Sequence, residues 1–86
     1  MKAYELLADP ERWARNKNEL HGTLPRRHCV VTALIACYPL RWEWIQVTRK
    51  LREHLNLPDG EGIGDWNDTP GRTHAEVVAL LKQHDL

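Results

Sequence analysis

Cys29 is the most intrinsically reactive side chain in this sequence, and its chemistry depends on its place near a helix start. A thiol at a helix N-terminus feels the positive end of the peptide dipole, which favours the thiolate and makes it a nucleophile. That nucleophile needs a base and a residue to orient the base. His28 is poorly placed for the task, because adjacent helical positions point in different directions. His74, oriented by Asp65 or Asn67, would complete a Cys-His-Asx set through tertiary contact, as in a Cys-His hydrolase. Against this, no Gly-rich oxyanion loop accompanies the set, and Cys29 equally suits a small core residue. Replacing it with Ser is then expected to lower stability.

Metal chemistry needs ligands at defined spacings. The two cysteines and five histidines form no Cys-x-x-Cys or His-x-x-x-His pair, so a zinc site is not expected. Gly60, Gly62 and Gly64 superficially suggest a phosphate loop, but no strand precedes them and no Lys follows. The expectation is therefore no catalytic residue, no metal ligand and no cofactor.

Two readings remain that use the surface. Arg26, Arg27, Arg41, Arg49, Lys50 and Arg52 could neutralise phosphates, which makes a nucleic-acid-binding accessory or regulatory protein the alternative function. Glu43 and Glu53 interrupt the set, and no aromatic platform for RNA is recognisable. The reading placed first rests on Trp42 and Trp44, which cannot both face one side of a helix. With Trp44 inward, Trp42 turns about 200° away, toward Arg41, Arg49 and Arg52. An exposed Trp among arginines has the composition of an interface anchor. The bland option is that Trp42 covers a helix edge or packs under Tyr4 or Trp13.

Elements that could position these residues are legible from spacing. Lys2 to Ala8 is a short helix, and Asp9-Pro10 starts a brief turn reaching Trp13. Ala14 to Gly22 reads as a solvated loop. Thr23 caps a central helix, with Pro25 in its first turn, that spans about residues 25–38. It is apolar on nearly every side, so it must be surrounded. Cys29 and Cys37 would then lie about 12 Å apart on that helix, too far for a disulfide. Leu40 to Leu55 forms an amphipathic helix with Trp44, Val47, Thr48, Leu51 and Leu55 inward. The last helix opens with a capping box, Thr73 to Glu76, and buries Val77, Val78, Leu80 and Leu81.

Between these last two helices lies the most distinctive stretch, Asp65-Trp66-Asn67-Asp68-Thr69-Pro70-Gly71-Arg72-Thr73. Trp66 is expected to plug the core while Asn67 and Asp68 turn the backbone. Gly71 permits a positive φ, and Arg72 could pair with Asp65 or Asp68. The segment from Trp66 to Val77 resembles the terminal signature of an uncharacterised family of small domains from phages, prophages and some bacteria. Upstream, members carry an aromatic-Cys-x-x-Gly-Ala helix, matched here by His28-Cys29-Val30-Val31-Thr32-Ala33, with His28 for the aromatic and Thr32 for the Gly. The resemblance implies a small helical domain on mobile elements and brings no established activity.

Composition sets the outer limits. A chain of 86 residues forms one domain spanning 1–86. Apolar residues at 42% and charged residues at 28% are ordinary globular usage. Zero net charge gives no global field to draw it onto nucleic acid or an anionic membrane. Met1 to Ala8 lacks signal-peptide character, and the Cys29–Cys37 run is too short for a bilayer span, so a cytoplasmic protein without a membrane partner is expected. These readings converge on an all-α, compact bundle of about four short helices around the central one. Its expected function is non-enzymatic binding by protein–protein contact through Arg41, Trp42, Arg49 and Arg52. The partner would be a host defence complex, as for an anti-CRISPR inhibitor, or a second copy in a homodimer.

Overall fold

A computed structural model describes residues 1–15 and 27–86. The expected loop beyond Arg15, the Thr23 cap and Arg26 lie outside the described residues. Among those described, five α-helices form an all-α fold: α1 (Ala3–Leu6), α2 (Val30–Cys37), α3 (Arg41–Leu55), α4 (Ile63–Asn67) and α5 (His74–Gln83), with a 3-10 turn at Pro10–Arg12. The additional helix, α4, takes in Gly64, the last of the three spaced glycines. Asp65 explains it: its carboxylate accepts from the Gly62 amide at 2.8 Å and caps the first turn.

Local chemistry sets the ends of several elements. Asp9 Oδ1 accepts from the Glu11 amide at 2.9 Å, and Pro10 opens the 3-10 turn behind it. Pro39 follows the α2 C-cap, and Asn56 closes α3 in the left-handed region at φ 52°. There the Leu57 amide reaches back to Arg52 O, the bond that seals a Schellman end. The Arg72 amide bonds Thr69 O across Pro70-Gly71, and Gly71 adopts φ 85°, the positive value a type II turn requires. Thr73 Oγ1 accepts from the Glu76 amide at 3.2 Å, and Glu76 Oε1 accepts from the Thr73 amide at 3.0 Å. The capping box is thus complete.

The core joins Leu7, Val30, Leu34, Leu51, Val77 and Leu81, all fully buried. α2 touches α1, α3 and α4, so it is the central helix. It begins at Val30, however, because Arg27–Cys29 are not helical. The Ala14 amide donates to His28 O at 3.0 Å and the His28 amide to Arg12 O at 2.7 Å, forming a parallel bridge that holds this segment extended. Nor is α2 surrounded: Thr32, Ile35 and Ala36 are exposed while Val30, Ala33 and Leu34 are buried. So small a domain lacks the material to cover every apolar side.

Ala14 is fully buried rather than part of a solvated loop, and Asn67 is the reason. The Asn67 side chain is also fully buried. Its Oδ1 accepts from Trp13 Nε1 at 2.8 Å and from the Val30 amide at 3.1 Å, while its Nδ2 donates to Ala14 O at 3.0 Å. One amide therefore joins the Trp13 segment, the start of α2 and the end of α4. Trp66, by contrast, is only half-buried, with the Arg72 guanidinium 4.0 Å above its ring. Asn67 is thus the fully buried residue of the pair, and Trp66 packs against the core from a half-buried position.

The chain's far ends are also tied. Leu86 O accepts from the Ala3 and Tyr4 amides and from the Tyr38 hydroxyl, and Lys2 Nζ pairs with Asp85 at 2.8 Å. At the other side of α5, the rings of His84 and His54 meet edge to face at 4.5 Å. His84 Nε2 is buried and has no hydrogen-bond partner among the described residues. Burial first, then the nearby His54 and Lys50 charges, push the His84 pKa below its ordinary value.

Two outcomes follow for stability. Asn67→Ala strands the Trp13 indole, the Val30 amide and the Ala14 carbonyl, each costing about 1–3 kcal/mol when buried without a partner. Urea unfolding should show a loss of about 3 kcal/mol or more. A loss typical of an exposed Asn would remove this residue from the core network. For His84, the unfolded chain binds the proton more readily than the folded one. Its contribution is therefore full above about pH 6.5 and is lost as pH falls through the depressed folded value. The unfolding midpoint should fall on acidification from about pH 7 to about pH 5, and His84→Gln should flatten that slope.

Candidate functional site

α3 is the longest described helix, with fifteen residues, and its two sides differ in kind. Leu51 is buried, with Trp44, Val47, Thr48 and Leu55 half-buried on the inward side. Trp42, Gln46, Arg49 and Glu53 are exposed, and their spacing of four, three and four residues sets them in one outward stripe. Trp42 is 61% exposed, so the inward course of Trp44 and its neighbours does turn it outward.

The expected arginines do not all share that stripe. Arg49 lies nearly in line with Trp42, about 10 Å along the helix. Arg41 and Arg52 sit on one flank, about 80–100° around the axis from Trp42. Arg52 has a structural duty as well, because its Nε donates to Glu61 O at 3.0 Å and pins the Pro58–Glu61 turn against α3. Arg41, Arg49 and Lys50 are exposed and form no ion pair among the described residues. Of the remaining cations in the nucleic-acid alternative, Arg27 is half-buried and Arg26 is outside the described residues.

One feature of this face escaped the sequence reading. Arg49, Arg52, Glu53, Asn56 and Leu57 line an open cleft of about 400 Å³ at the C-terminal half of α3. Leu57 supplies an apolar wall, and the left-handed turn at Asn56 brings it there. The sequence does contain a signal: a helix ending in Asn followed by Leu and Pro is the pattern of a Schellman close with its hydrophobic contact.

The residues of the hydrolase reading are engaged in other work. His74 Nε2 is hydrogen-bonded to Leu7 O, and its ring is 6.2 Å from that of Trp13. Asp65 caps α4, and Asn67 is occupied within the core. Arg72 pairs with neither Asp65 nor Asp68. It reaches Glu76 at 2.8 Å, because stacking on Trp66 aims the guanidinium along the first turn of α5. The Thr73 amide first, then Arg72, hold the Glu76 carboxyl below its usual pKa. Among the described residues, no three His, Cys, Asp or Glu side chains gather to hold a metal ion, and no helix is long and apolar enough to cross a membrane.

Cys29 is the N-cap of α2 and not an interior helical residue. Its Sγ accepts from the Thr32 amide at 3.4 Å and lies 3.6 Å from Thr32 Oγ1. Cys37 is half-buried in the last turn, where burial raises its thiol pKa.

The chain belongs to a family of unknown function (DUF6197), whose model matches residues 1–84. No curated protein and no solved structure matches it.

The cap geometry reverses the stability expectation for Cys29. Ser is a strong N-cap residue, so Cys29→Ser should keep or slightly raise the thermal midpoint. A marked loss of stability would show that packing of the sulfur outweighs its capping bond. Alkylation of native Cys37 should be slow at neutral pH, since burial disfavours its thiolate.

Proposed function

We propose that this member of the family is a non-enzymatic binding protein that acts by protein–protein contact through the outward face of α3. The observation that carries the reading is Trp42. It stands largely in solvent while the other tryptophans are at least half-buried. Trp13 is hydrogen-bonded to Asn67, and Trp66 is stacked beneath Arg72. Among the described residues, nothing in the packing calls for an indole on that outward stripe. A rigid aromatic on one stripe with Arg49, which forms no ion pair among the described residues, is what an interface uses as an anchor, because it brings large contact area at low entropic cost. The neighbouring cleft adds a concave surface to the same face.

The resemblance of the Trp66–Val77 segment to phage and prophage domains supplies the class of partner to test first, a host defence complex of the kind anti-CRISPR proteins inhibit. A cytoplasmic site of action accords with that class.

A photo-reactive amino acid at Gln46, in the centre of the stripe, tests the contact in living cells. The expected result is a crosslink to one defined protein that disappears in Trp42→Ala, with the thermal midpoint of that variant nearly unchanged. A large loss of stability in Trp42→Ala would instead assign the indole to packing. Crosslinking to nucleic acid, with duplex binding that weakens steeply as salt rises, would favour the Arg49, Lys50 and Arg52 alternative.

A further inference from the structure

The outward stripe of α3 is complementary to itself. Trp42, Gln46, Arg49 and Glu53 occupy the positions that form the seam of a two-helix pair, and Leu51 and Trp44 lie on the opposite side, toward the domain. In a parallel pair, each seam residue would meet its own copy, setting Arg49 against Arg49 and Glu53 against Glu53. An antiparallel pair related by a two-fold axis removes both repulsions. Trp42 then faces Glu53 of the other copy, and Gln46 faces Arg49. On one flank of the seam, Glu43 lies opposite Lys50, and symmetry repeats the pair. On the other flank, Ile45 meets the aliphatic stem of Arg52.

The same register delivers the exposed indole to the cleft. Glu53, which faces Trp42 in this arrangement, is one wall of the site that Arg49, Arg52, Asn56 and Leu57 complete. Arg49 offers its guanidinium to the indole face, Leu57 an apolar contact, and Glu53 or Asn56 an acceptor for Nε1–H. Each copy contributes one anchor and one receptacle, as an isologous interface requires.

We infer that a second copy of this chain covers α3, in antiparallel two-fold pairing, with each Trp42 seated in the other copy's Arg49–Leu57 cleft. The inference rests on the proposed role of the α3 face and names its occupant.

Sedimentation equilibrium of the purified chain tests it, with thermal unfolding as a check that each variant is folded. The wild type should be dimeric at micromolar concentration, and Trp42→Ala should be a folded monomer. Glu43→Lys and Lys50→Glu should each weaken the dimer about tenfold, since each creates two like-charge pairs, and the double swap should recover most of that loss. Only pairing between copies predicts that recovery. A dimer indifferent to Trp42 and to the swaps would overturn the inference by placing the interface elsewhere. A wild-type monomer at about 100 µM would also overturn it, because contact between copies would then be too weak to cover the helix. If that monomer still crosslinks a different protein through Gln46 in a Trp42-dependent way, the role of the face survives and only its occupant changes. If no Trp42-dependent crosslink forms at all, both fail together.

Discussion

Asn67 is where the covalent chain and the fold meet most economically. Its amide is fully buried, and three of its partners belong to segments that approach one another only in the folded domain. The Trp13 indole, the Val30 amide and the Ala14 carbonyl would each be costly to bury alone. Asn suits the site because one planar group both accepts and donates. A carboxylate could not donate to Ala14, and an apolar side chain of similar size would satisfy none of the three. Holding Val30 and Ala14 in place also fixes the extended segment ahead of α2, and with it the point where the central helix begins.

Much of this local structure is legible from residue types alone. The Asp9-Pro10 start, the Pro70-Gly71 turn, the Thr73–Glu76 box and the inward course of α3 each depend on neighbours within a few positions. Where bonding partners are distant in sequence, the same reasoning goes astray. Asn next to Asp reads as turn chemistry, yet Asn67 finds Trp13 some fifty positions away. The apolar run through Cys29 reads as helix, yet the pairing of His28 with Arg12 and Ala14 keeps its first residues extended. Arg72 is a simpler case: Asp65 and Asp68 are its expected partners, and stacking on the Trp66 ring turns it to Glu76 instead.

The candidate site divides along the same line. Outward placement of Trp42 follows from helical period, so it is visible early. The cleft beside Arg49 is not, because it depends on how Asn56 folds the chain back to set Leu57 under the helix. Arg52 shows the limit of reading charge as function. As a cation in a cluster it looks like a contact residue, while in the structure it also steadies the Pro58–Glu61 turn. The outward face of α3 is thus partly scaffold and partly surface: Arg52 holds a turn, while Arg41, Arg49 and Lys50 form no ion pair among the described residues.

The bond from the Ala3 amide to Leu86 O brings two segments far apart in sequence side by side. Residues at the two extremes of the sequence stand within a hydrogen bond of each other, with Lys2 and Asp85 closing the gap from the side. A domain of this shape can be spliced into a surface loop of another protein without prising the host's own strands or helices apart, since host chain leaves and re-enters at nearly one place. The outward face of α3 would be carried along with such an insertion.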